Sequence, residues 1–259
     1  MVTKREGIDK WIISEETLRS VENKTLFYPA SAKDIQICID IFSPYVTDFF
    51  FVDLSYFREI SEHKRPVINH PDYVMISRHT KGLLKARIEE RYDSNCIRYP
   101  YIEPCTVTEK YFHIPSRKII KVRKKRGFAE YTFDNEISEL GVFFARGDSG
   151  NGGDGGTGIT WWDKKRFKAI SDKLCDGGLI CTDGSNYGCK KTKEIWKNVW
   201  SRDTNYNPEE LIKTYNPITD TQGRTFSCVG YAGHRYGPTI IFQMRNPIRT
   251  EDNQNTPLL

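Results

Sequence analysis

Apolar positions gather in short blocks along this chain, parted by polar turn-forming runs, and the spacing within each block predicts its element. Residues 1–23 read as a polar lead-in carrying one amphipathic helix, Glu15 to Val21. TLFYPA (25–30), β-rich and stopped by Pro29, predicts a short buried strand. SAKD then makes a tight turn. The apolar positions of IQICIDIF (35–42) fit either period, but Asp34 stands where it would cap a helix, and the strand-turn context selects helix. TDFFFVDLSYF (47–57) is a continuous apolar run with an acid at Asp53, the pattern of a central parallel strand covered on both faces. Residues 60–92 are more polar and predict a helix around Thr80 to Arg91.

Between 106 and 133, TVTEKYFHI, KIIKVRKK and GFAEYTF alternate in strand fashion about a turn near Arg126 and Gly127. This predicts an antiparallel hairpin or small meander with charged faces in water. Within it, KVRKKR (121–126) reads as solvated lysines beside a turn, with a phosphate contact as the alternative. GVFFARG (141–147) is a second buried strand and runs straight into DSGNGGDGGTG (148–158). Residues 163–175 carry Phe167, Ile170 and Leu174 at helical spacing, and Gly177 and Gly178 end that helix. LICTD (179–183) is a further strand closing in the turn DGSN, followed by a helix near Thr192 to Trp200. TFSCVGYAG and PTIIFQMR (225–245) form an antiparallel pair joined across HRYG, and 250–259 is a flexible tail.

The recurrence of strand, turn and helix predicts one α/β domain over residues 1–259, with 93–138 as an inserted β-hairpin subdomain. In parallel sheets ligands settle outside the carboxyl ends of the strands. SAKD, the Asp53 end, the glycine-rich run and TDGSN would therefore converge on one rim.

Composition narrows the picture. Aromatic residues make up 13% of the chain, enough to build a core although the apolar fraction is only 38%. The formal net charge of +5 permits an anionic ligand, but a duplex binder would show a denser basic stripe, so nucleic acid stays open as a partner without being indicated. Seven cysteines, an odd number with no C-x-x-C, argue against a disulfide scaffold or a zinc knuckle, and no metal site is expected. MVTKREGIDKW has no apolar leader and no run approaches a membrane span, which predicts a cytoplasmic protein.

Four groups of residues could carry chemistry. Asp53 at a strand end could accept both hydrogen bonds of a ribose diol, or cap the following turn. Ser31 and Asp34 could bond a ligand while the small residues at 30–32 admit it to the backbone; a plain helix cap is the alternative. Six of the eleven residues in 148–158 are glycine, and their amides could form an anion nest with Arg146 at its base, or a mobile lid. Asp183 could act as a general base or orient a hydroxyl, with Ser185 and Asn186 reading a substrate edge, or TDGSN could be a simple turn. His234 and Arg235 could bound the pocket, and Trp161 and Trp162 could stack on a ring or fill the core.

LFYPASAKD, then FFVD ending at Asp53, then the 225–245 pair give a layout that resembles class I S-adenosylmethionine-dependent methyltransferases. The resemblance implies a Rossmann-like, mostly parallel sheet with flanking helices and an antiparallel C-terminal strand pair. It implies a methyl transfer from S-adenosylmethionine, that cofactor being held by Tyr28, Pro29, Ala30, Ser31, Asp34, Asp53, Arg146 and Gly147. Asp148 and Asp183 would be catalytic, and Ser185, Asn186, Trp161 and His234 would meet the acceptor. Ala30, Ser31 and Ala32 stand where that family has glycines, and RGDSGNGG occupies the place of its D/N-P-P-F/Y motif. A hydrolase or lyase acting on a nucleotide derivative, or a non-catalytic nucleotide sensor, fits the same residues.

Overall fold

A computed structural model of the chain describes residues 2–5, 11–31, 35–53, 66–81, 105–146, 161, 164–182, 217–232 and 239–247. Their strands are β1 (Val2–Arg5), β2 (Trp11–Ser14), β3 (Thr25–Pro29), β4 (Asp48–Asp53), β5 (Tyr73–Lys81), β6 (Cys105–His113), β7 (Lys118–Arg126), β8 (Leu140–Ala145), β9 (Leu174–Thr182), β10 (Ile218–Thr219), β11 (Thr225–Ala232) and β12 (Thr239–Arg245). The helices are α1 (Glu15–Arg19), α2 (Gln36–Phe42), α3 (Ala129–Glu136) and α4 (Lys164–Lys173).

The strands join one sheet in the order β1-β2-β11-β12-β9-β8-β3-β4-β7-β6-β5, with β10 beside β11. From β9 to β7 four successive pairings are parallel. The other seven of the eleven are antiparallel. This overturns the expected Rossmann-like α/β fold. The sheet is mixed and mostly antiparallel, and among the described residues the helices are four short ones of 5, 7, 8 and 10 residues. Apolar runs report burial on both faces of a strand, but not how many antiparallel strands are added beyond them.

Alternation divides the central side chains between two cores. Leu26, Tyr28, Phe49, Phe51, Val142 and Phe144 pack on one face with Ile37, Ile41 and Phe42 of α2. Phe27, Phe50, Val52 and Phe143 pack on the other with Ala129 and Phe133 of α3, Trp161 and Ile170 of α4. Phe27 alone lies within 6.4 Å, centroid to centroid, of Phe50, Phe133, Phe143 and Trp161.

Several local expectations also change. β1 and β2 stand in the supposed polar lead-in, and α1 stops at Arg19 rather than Val21. Thr80 lies inside β5, an edge strand ending at Lys81, instead of starting a helix; 82–91 lie outside the described residues. The hairpin turns at Ile114–Arg117, where Arg117 takes φ +55, and Ala129–Glu136 is helix rather than strand. Gly177 and Gly178 lie inside β9, where Gly177 takes φ +76 and a β-carbon on Gly178 would come within 2.6 Å of Leu174. Ile35, not Asp34, is the cap position of α2, and Asp34 lies outside the described residues. So do the predicted helix near Thr192 to Trp200 and the 250–259 tail. Among the described residues no helix is long and apolar enough to cross a membrane.

Candidate functional site

Parallel register aligns the carboxyl ends of the central strands. Pro29 pairs with Val52, Asp53 with Arg126, and Ala145 with Thr182. Arg126, Asp53, the Ala30–Ser31 turn and Arg146 therefore form one row across β7, β4, β3 and β8. Chain order reverses within it. From β3 the chain passes to β4 on one side and later to β8 on the other, so the β3–β8 junction is a switch point, where connections diverge and leave a crevice.

Each position has a local cause. β3 ends at Pro29, and Ala30 takes φ +50, a left-handed backbone uncommon for a residue with a β-carbon. That turn brings the Ser31 amide to donate to Val52 O at 3.4 Å and buries Ser31. Tyr28 donates its hydroxyl to Arg146 O at 3.3 Å, tying β3 to β8 at the junction. Alternation puts Asp53, Arg126 and Arg146 on the α2 face, above Phe51, Val122 and Phe144.

Two guanidinium groups are thus almost out of water at this rim, Arg126 at 3% and Arg146 at 3% exposure, with Asp53 half-buried beside Arg126. Burial draws the Arg126 pKa down, against the pull of Cys105. Burial pushes the Cys181 thiol well up, opposed by the charge of Arg146. Thr239, at the start of β12 on the same face, is fully buried, and its Oγ1 has no hydrogen-bond partner among the described residues. A buried hydroxyl without a partner costs about 1–3 kcal/mol, so this one sets a polar requirement at the rim.

Of the residues named from the sequence, the structure brings Tyr28, Pro29, Ala30, Ser31, Asp53 and Arg146 together. Trp161 is not among them: it is 1% exposed and packs against Phe133 and Phe143 in the opposite core. Asp34, Gly147, Asp148, Asp183, Ser185, Asn186 and His234 lie outside the described residues. The connections holding most of them leave from described residues at the rim: Arg146 precedes the glycine run, Thr182 opens TDGSN, and Ala232 and Thr239 bracket His234.

The basic run is not the solvated turn expected of it. Lys124, Lys125 and Arg126 are all buried. Lys125 pairs with Glu136, and Arg123 lies 3.8 Å over the Phe50 ring while its Nε and Nη2 donate to Asp48 at 3.1 and 2.9 Å. Arg126 and Thr239 were missed as site residues. The signal for Arg126 was strand alternation carried through to its last residue; for Thr239 the sequence held none, because its place depends on which strand β12 joins. Among the described residues no three His, Cys, Asp or Glu side chains cluster as metal ligands would.

No protein-family model matches this chain, and no curated protein sequence matches it.

Proposed function

We propose that this rim binds a nucleoside-containing cofactor, S-adenosylmethionine, and that the protein transfers its methyl group to an acceptor. The observation that carries the reading is the half-buried Asp53 at a parallel strand end, one strand from the left-handed Ala30 turn and next to a switch point. Asp53 accepts the two ribose hydroxyls. The Ala30–Ser31 backbone lets the ligand approach, and Arg146 supplies charge for its carboxylate end. The buried Thr239 hydroxyl fits a polar ligand, since it has no hydrogen-bond partner among the described residues. The bound cofactor supplies an electrophilic methyl group. Asp148 or Asp183 orients the acceptor and takes its proton, and most of the rate comes from holding the reactants in line.

Isothermal titration tests this with S-adenosylmethionine and its demethylated product. Both should bind, and Asp53→Ala should weaken them by roughly 10- to 100-fold, as expected for loss of about 1.5–3 kcal/mol of hydrogen bonding to a charged group. Absence of heat with either compound removes the proposal. The two buried arginines favour a second reading, turnover of an anionic nucleotide derivative. Incubation with a nucleotide panel, followed by mass spectrometry, separates the two by product.

A further inference from the structure

On the sheet face opposite α2, the pairing of the outer strands β5, β6 and β7 sets side chains in rows, which among the described residues are covered only towards β4 and α3, where Arg123 lies over Phe50 and the buried Lys125 pairs with Glu136. Val74, Phe112 and Ile119 form one row, exposed by 52%, 36% and 57%. Ser77, Lys110 and Lys121 form the next, then His79, Thr108 and Arg123, then Lys81, Thr106 and Lys125. No acidic side chain stands in these four rows. Among the described residues the five cations meet two carboxylates from outside these rows: Asp48, which holds Lys121 and Arg123, and Glu136, which holds Lys125. Lys81 and Lys110 are exposed, and among the described residues neither pairs with an acid. Lys110 lies directly across from Lys121, a like-charge pairing that weakens a sheet.

We infer that this face binds single-stranded nucleic acid, with backbone phosphates on Lys81, Lys110 and Lys121 and a base stacked on Phe112. Charge complementarity chooses the occupant. A second copy of the chain would set these cations against themselves, and a purely apolar partner would leave them desolvated. A strand of bases meets both features at once: its phosphates neutralise the lysines, and its flat rings cover the Val74–Phe112–Ile119 row. A three-stranded, twisted open face also suits splayed single-stranded bases better than a stiff duplex. The cationic end of the face is the carboxyl end of β7, the same end as Asp53 and Arg126. A bound strand would therefore run towards the rim.

Fluorescence anisotropy tests this with labelled oligo-U and oligo-dT of about 12 nucleotides, a duplex of the same length, and polyglutamate of matched charge, all without nucleoside cofactor. Failure here is thus independent of failure at the Asp53 site. The single strands should bind more tightly than duplex or polyglutamate, and affinity should fall roughly tenfold or more between about 50 and 200 mM salt. A preference between oligo-U and oligo-dT names the natural strand. Lys81→Gln with Lys110→Gln should weaken binding about tenfold and flatten the salt dependence. Phe112→Ala should weaken it by a similar factor while leaving the salt slope unchanged. These three side chains are exposed, and an unchanged circular dichroism spectrum would show that the variants fold. The inference is overturned by absence of oligonucleotide binding, by equal binding of polyglutamate, by full affinity in both variants, or by sedimentation showing a dimer that the lysine substitutions dissociate.

Discussion

The central strands and the β5–β7 wing belong to one sheet yet obey different rules. All six residues of β8 are buried, as are the middle four of β4, and their neighbours run parallel. β6 instead alternates, with Cys105, Val107, Glu109, Tyr111 and His113 buried and the residues between them facing outward, while β5 is exposed along nearly its whole length. Two-sided burial demands continuous apolar sequence and suits parallel pairing. One-sided burial needs only every second residue and suits a hairpin. Stability thus concentrates in the centre, and the wing keeps side chains free for other uses.

The sharpest way to break that contrast is to delete a ring from each region. Phe143 is fully buried and lies within 6.2 Å of the Phe27, Phe133 and Trp161 rings, centroid to centroid. Phe143→Ala should cost about 3–5 kcal/mol, from lost burial and the cavity left behind. Ile119 is 57% exposed, and Ile119→Ala should stay within about 0.5 kcal/mol. Urea denaturation measures both, and similar losses at the two sites would abolish the distinction.

Next in size is the wing's own buried polar anchor. Glu109 is fully buried; its Oε2 accepts the Val67 amide at 2.8 Å and the Tyr111 hydroxyl, and its Oε1 faces Arg78 at 3.4 Å. Tyr111 in turn accepts the Ile68 amide at 3.0 Å, so one carboxylate and one phenol hold residues 67–68 to the sheet. Glu109→Gln keeps the shape but loses the charge, and should cost about 1–3 kcal/mol. Faster hydrogen exchange at the Val67 and Ile68 amides would locate that loss in the wing. Unchanged exchange there would mean that the segment is held by other contacts.

The same contrast explains what could be read in advance. The runs that became β3, β4 and β8 were legible because their central residues are continuously apolar, and only a two-sided core needs that. The strand pair of 225–245 was legible from its two β-rich runs, and pairs antiparallel in β11 and β12. What failed was order and partner. Nothing local told that β12 lies against β9, or that β1 and β2 extend the sheet beyond β11, since these depend on long-range pairing. The hairpin turn was misplaced because Arg126–Gly127 looks more turn-like than Ile114–Arg117. Charge misled in the same region: Lys124, Lys125 and Arg126 read as solvated, but their strand is flanked on both sides and all three side chains are buried. At the rim Asp53 was legible as an acid closing an apolar run, whereas its neighbour Arg126 became visible only once β4 and β7 were paired.

The smallest effect concerns pH, and it too distinguishes wing from centre. His113, the last residue of β6, is buried, with its Nδ1 2.7 Å from Ser116 Oγ and its ring 4.7 Å from the Tyr73 ring. Burial holds its pKa below the ordinary histidine value; Asp72 opposes that shift and His70 adds to it. The unfolded chain therefore takes up a proton at about pH 6.5, and the folded chain does so only at lower pH. In between, the unfolded state binds more protons, so stability falls as pH drops below about 6.5 and levels off once the folded ring is protonated too. His113→Gln cannot take up that proton. Its thermal midpoint should consequently fall less than the parent's between about pH 7.5 and 5.5. Parallel falls in the two proteins would move the acid sensitivity out of the wing and onto other groups. A flatter curve for the variant would assign that share of the acid sensitivity to the buried His113 ring in the wing.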